Sequence, residues 1–115
     1  MGNVAQARFD MLDKLIERYN AGDADGYAAF FAEDGVEAMY RGEELRVGRE
    51  GVRAGNAKTF AEFPQNRAIV LNRQALGDYV LLHERVWRKP EGDPFEVMSI
   101  YSFDNDRISR VEFVR

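Results

Sequence analysis

Residues Val80 to Phe103 read VLLHERVWRKPEGDPFEVMSIYSF, two β-rich runs around a Lys89-Pro90-Glu91-Gly92-Asp93-Pro94 turn. Pro and Gly set the backbone of that turn, and Asp can cap it. Side chains alternate across a strand, so Leu81, His83, Arg85 and Trp87 share one face of the first run, and Leu82, Glu84 and Val86 the other. In the second run Phe95, Val97, Ser99 and Tyr101 alternate with Glu96, Met98, Ile100 and Ser102. Neither face of the hairpin is simply polar, so both require cover. The face that sets His83 and Arg85 among aromatics is the candidate site.

The rest of the chain supplies that cover. Phe9, Leu12, Ile16 and Tyr19 recur at helical spacing, with Met11 and Leu15 widening the stripe, and predict a helix over 4–20. Asn20-Ala21-Gly22 ends it, and Asp23 caps a second, shorter helix running to about Ala32. Glu33-Asp34-Gly35 reads as a turn, Val36–Arg41 as a strand, Gly42-Glu43-Glu44 as a hairpin tip and Leu45–Val47 as the returning strand. Gly48 opens a third helix over 49–63, which Pro64 closes. Four long strands follow over 66–76, 79–88, 95–104 and 107–115, joined as an antiparallel meander.

Helices massed at one end and strands at the other indicate α+β, in one domain covering 1–115. A strongly curved, mainly antiparallel sheet wrapped around three helices leaves a conical cavity on its inner face. The outer face is expected to carry Leu82, Val86, Met98 and Ile100, too much apolar surface to leave in water. A homodimer through that face is the expected remedy.

Composition narrows the function. A net charge of -4 over 115 residues provides no basic excess to displace counterions from phosphates, which argues against nucleic acid. With no cysteine and one histidine, disulfides, thiolate zinc sites, a cysteine nucleophile and a multi-histidine metal site within one chain are excluded. No metal and no cofactor are expected. No apolar run approaches the roughly 20 residues of a membrane span, and MGNVAQARFD lacks the layout of a signal peptide. A cytoplasmic location, away from the membrane, follows by default.

Several pieces together carry a family resemblance. They are Asn20-Ala21-Gly22-Asp23 after the first helix, Phe31-Ala32-Glu33-Asp34 before the first strand, and Gly48-Arg49-Glu50-Gly51-Val52 at the third helix. His83-Glu84-Arg85-Val86 and the closing SFDNDRISRVEFV extend them to the end of the chain. In this order and spacing the chain resembles the nuclear transport factor 2 superfamily, and within it the SnoaL-like and ketosteroid isomerase-like proteins. The resemblance implies a cone-shaped, cystatin-like α+β barrel with a hydrophobic pocket, usually dimeric. Isomerase members place an aspartate base on the first strand, a tyrosine on the first helix and an acid on the third long strand. The matching positions here are Met39, Leu15 and Ser99. A methionine takes no proton, a leucine donates none, and serine is a far weaker oxyanion donor than a protonated acid. Standard ketosteroid isomerase chemistry is therefore rejected. Related epoxide hydrolases use an acid-arginine-acid set, and Arg85 has no evident inward acids at the matching places.

On this alignment Glu37, His83 and Arg85 are the candidate catalytic residues, with Met39, Trp87, Val97, Ser99, Tyr101, Val111 and Phe113 as pocket wall. Glu37 would act as a displaced general base, His83 as its acid-base partner, and Arg85 or Tyr101 as the oxyanion donor. Burial would raise the glutamate's pKa and Arg85 would lower it. Two plainer alternatives stand beside this one. Glu37 and Arg85 could form a buried ion pair with no catalytic task, or the aromatics could plug the cavity of a dimerising scaffold. The expected ligand is a small, mostly apolar molecule. The expected chemistry is cofactor-independent isomerisation, cyclisation, dehydration or hydrolysis, or binding alone.

Overall fold

The computed structural model describes residues 2–115. Helix α1, Gly2–Asn20, sinks Leu12 and Leu15 into the core and half-buries Phe9, Ile16 and Tyr19, the stripe its spacing dictates. Gly22 ends it in the left-handed region at φ 68°, where a residue without Cβ is unstrained. Asp23 then caps α2, Ala24–Ala28, its Oδ1 accepting from the Gly26 N–H at 2.9 Å. That helix stops earlier than the sequence suggests. The carbonyl of Phe30 accepts from Ile108 N at 3.0 Å and Phe31 pairs with Ile108, so the chain is already committed to the sheet.

Strand β1, Phe31–Met39, therefore runs through Glu33-Asp34-Gly35, which form an irregularity in its pairing where a turn was expected. Strand β2, Glu44–Val47, returns beside it. Gly48 (φ 80°) starts α3, Gly48–Glu62, which buries Val52, Asn56 and Phe60. The meander follows as β3 (Arg67–Leu76), β4 (Tyr79–Trp87), β5 (Phe95–Asp104) and β6 (Arg107–Val114), each antiparallel to the next. The sheet order is β2-β1-β6-β5-β4-β3, with β1 parallel to β6. This is the expected α+β curved sheet over three helices. It does not close into a barrel: β2 and β3 remain its edges. Among the described residues no helix is long and apolar enough to cross a membrane.

Cross-strand partners share a face of a sheet, so the register fixes what points inward. Val80 opposes Tyr101, Leu82 opposes Ser99, Glu84 opposes Val97 and Val86 opposes Phe95. Val80, Leu82, Glu84 and Val86 are all buried. Leu81, His83 and Arg85 oppose Ile100, Met98 and Glu96 on the other face. Two expectations are corrected. His83, Arg85 and Trp87 face outward. The outer face carries Leu81 and Trp87 beside Met98 and Ile100, while Leu82 and Val86 are core.

Candidate active site

Between the inner sheet face, α1 and α3 lies a cavity of about 170 Å³, far above the ~10–15 Å³ that one water requires. Its walls are apolar where Leu15, Ile16, Met39, Val97 and Phe113 meet. Two buried carboxylates, Glu37 and Glu84, open onto it.

Glu37 sits two residues before the end of β1, 1% exposed. The hairpin register places Arg46 of β2 directly opposite, and its Nη1 donates to Oε1 at 2.9 Å. Asn56, one turn beyond Val52 on α3, donates to the same oxygen at 3.0 Å. The Tyr27 hydroxyl, carried in by α2, donates to Oε2 at 2.7 Å. Burial, then the charge of Glu37, push the Tyr27 phenol well above its ordinary range, so it stays protonated as a donor. Glu37 thus takes three hydrogen bonds, one charge-assisted, and its cation is Arg46; the expected Arg85 lies on the other side of the sheet.

Glu84 has a different setting. It is 6% exposed on β4, and it accepts a hydrogen bond from Ser99 of β5, whose Oγ donates to Oε2 at 2.6 Å. Among the described residues it forms no ion pair. Burial raises its carboxyl from the ordinary 4.5 to about 7, against smaller downward pulls from the Ser99 hydroxyl and nearby His83. Loss of solvation disfavours the charged form, and one neutral hydroxyl does not replace it. Tyr101, also on the cavity wall, is pushed well up by burial first and then by the charges of Glu84 and Glu37.

Arg88 stands at the end of β4 on the same cavity, its Nη1 donating to Asn66 Oδ1 at 2.7 Å and to the Tyr19 hydroxyl at 3.3 Å. Its guanidinium lies 5.7 Å from the Phe63 ring centroid and 5.1 Å from that of Phe95.

The site residues expected from sequence therefore separate. Glu37, Met39, Val97, Ser99, Tyr101 and Phe113 line the cavity. Val111 is fully buried in the core behind it. His83 and Arg85 grip Glu96 on the outer face, at 2.6 and 3.1 Å. Those two bonds, His83's first, hold the Glu96 carboxyl below its usual range. Trp87 stacks under Arg67 there, 5.0 Å from its guanidinium. Of the positions matching the isomerase pattern, Leu15, Met39 and Ser99 all line the cavity. Glu84, Arg46, Asn56, Tyr27 and Arg88 were not singled out from sequence. The available signal for Glu84 was its place as the lone polar residue in the Val80-Leu82-Glu84-Val86 alternation. Among the described residues no group of three acidic or histidine side chains converges to suit a metal ion.

The model of the SnoaL-like domain matches residues 12–111. An uncharacterized cystatin-fold protein from Novosphingobium aromaticivorans is 43% identical, with TM-score 0.87 over 92% of this chain and 96% of that one. A putative polyketide cyclase from Sinorhizobium meliloti shares the fold at 20% identity and TM-score 0.77, covering 91% and 94% of the two chains. So does a hypothetical protein of ketosteroid isomerase-like fold from Catenulispora acidiphila, in complex with trimethylamine, at 17% identity and TM-score 0.75 over 90% and 83%. No curated protein matches the chain.

Proposed function

We propose that this chain, which belongs to the SnoaL-like domain family, takes a small, mostly apolar carbonyl compound into the cavity and moves a proton on it with Glu84. The observation that carries this reading is a buried carboxyl on an apolar cavity wall with a pKa near 7. Such a group is divided between acid and base at neutral pH, as general acid-base catalysis requires. In its charged form Glu84 takes a proton from the carbon next to the carbonyl. The Tyr101 hydroxyl, kept protonated by its burial, donates to the enolate oxygen. Where the compound is β,γ-unsaturated, Glu84, now protonated, returns the proton to the γ-carbon of the dienolate, which gives isomerisation. Alternatively the enolate carbon attacks a second carbonyl, which gives cyclisation, and the proton goes to the new alkoxide. Neither sequence draws on an external oxidant or reductant.

Glu37 has a different task in this account. With three donors upon it, it fixes Tyr27, Arg46 and Asn56 and shapes the wall, so proton transfer rests with Glu84. The expected homodimer belongs to the same proposal, through the outer face as the register defines it, with Leu81, Trp87, Met98 and Ile100.

Exchange of α-protons in D2O tests the catalytic reading without a known substrate. With 4-phenyl-2-butanone and 2-tetralone as probes followed by NMR, the protein should accelerate exchange above buffer. The rate should rise with pH through about 7, where the carboxyl ionises, and vanish in Glu84→Gln. Binding of both ketones with no acceleration would refute catalysis and leave a binding module.

A further inference from the structure

Of the three arginines on the cavity wall, Arg46 is neutralised by Glu37, whereas Arg88 and Arg115 pair with no carboxylate among the described residues. Arg88 is not a mobile surface cation. Asn66 and the Tyr19 hydroxyl hold its Nη1, and the rings of Phe63 and Phe95 hold its plane. A guanidinium has only donors to offer, so it must face the Asn66 oxygen, and the amide's Nδ2 is turned away. That Nδ2 is buried with no hydrogen-bond partner. A fixed cation without an anionic partner therefore stands beside a buried donor that has no acceptor. Buried donors without partners are uncommon and ask for a reason.

We infer that Arg88 is an anion anchor at the end of the cavity, and that the ligand is an apolar molecule carrying a carboxylate. A guanidinium fork matches a carboxylate in two parallel bonds, and Arg88 is preorganised for one. Phe95, under both Arg88 and Arg115, supplies the apolar surface next to the charge. This assignment rests on the pocket reading above and adds a direction to it. Arg88 follows directly on the last residue of β4 and Glu84 lies four residues before it, with Val86 between them on the same wall. The bound molecule has its carboxylate at Arg88 and its reactive carbonyl toward Glu84.

The test uses 3-phenylpropionate, octanoate and 2-naphthylacetate, each beside its neutral primary amide, titrated into the protein by NMR and calorimetry. The acids should bind at least about tenfold more tightly than their amides, the usual effect of a hydrogen bond to a charged group. Arg88→Gln should abolish that preference by weakening the acids much more than the amides. Arg88→Lys, which keeps the charge, should retain part of it, and a thermal melt checks that both variants fold. Glu84→Gln should leave the preference intact, since anchoring and proton transfer are separate tasks. Equal binding of acid and amide to the wild type, or a preference that survives Arg88→Gln, would overturn the anchor and leave the proton-transfer reading standing. Binding of none of the six probes would overturn both.

Discussion

Replacing Glu84 by glutamine keeps an acceptor for the Ser99 hydroxyl while removing the ionisable group. In the folded chain the carboxyl sits at about 7 against an ordinary 4.5. The folded state therefore binds more protons than the unfolded state between those values, and stability falls as pH rises across that window. The contribution is fully present below about 4.5 and gone above about 7. Over that gap, at about 1.4 kcal/mol per pH unit, the loss amounts to about 3 kcal/mol, a large part of the 5–15 kcal/mol typical of a domain. Urea unfolding followed by circular dichroism at pH 4.5, 6 and 8 measures it in both proteins. Every other titrating group cancels in the difference between them. Relative to the wild type, Glu84→Gln should gain about 3 kcal/mol on going from pH 4.5 to pH 8. A difference that stays constant with pH would refute the buried, unpaired state of Glu84.

The other predictions test the remaining parts of the site. Arg46→Ala strands the Glu37 carboxylate in the protein interior and should cost about 3 kcal/mol by urea unfolding. The double variant with Glu37→Gln should recover part of that loss, and strict additivity would contradict the pairing. His83→Ala removes the main bond to Glu96, so the Glu96 carboxyl should titrate higher by NMR, while Glu37→Gln should leave the His83 imidazole shifts unmoved. Ile100→Glu places a charge on the outer sheet face and should convert the proposed dimer to monomer in light scattering; an unchanged mass would exclude that face.

Sequence patterning reached the architecture well, and the site only in part. Turn chemistry at Gly22, Gly48, Gly77 and Asn105 was legible because each needs or favours a positive φ, and those turns divide the chain into its elements. The insertion of β1 beside β6 was not legible, since parallel pairing joins segments separated by most of the chain. The site depended on one binary choice. Alternation separates Leu81, His83, Arg85 and Trp87 from Val80, Leu82, Glu84 and Val86, but it does not state which set faces inward. The cationic and aromatic set resembles a site, while the aliphatic set with one glutamate resembles a core. The fold buries the aliphatic set, because the helices supply apolar cover for it, and Glu84 is carried in with it. Glu37 was legible as a buried acid, whereas its partner Arg46 required the β1–β2 register. Arg88 escaped with Glu84, because it continues the alternating set that was assigned to the outer face.

The proposed chemistry stands on a glutamate that exchanges its proton near neutrality on the wall of the cavity. Carbon-13 NMR of side-chain carboxyls in glutamate-labelled protein, titrated from pH 3 to 9, follows that exchange residue by residue. One resonance should have its midpoint at about 7, be absent from Glu84→Gln and be displaced when a carboxylate probe enters the cavity. A titration in which no glutamate ionises above the ordinary 4.5 would refute that state of Glu84.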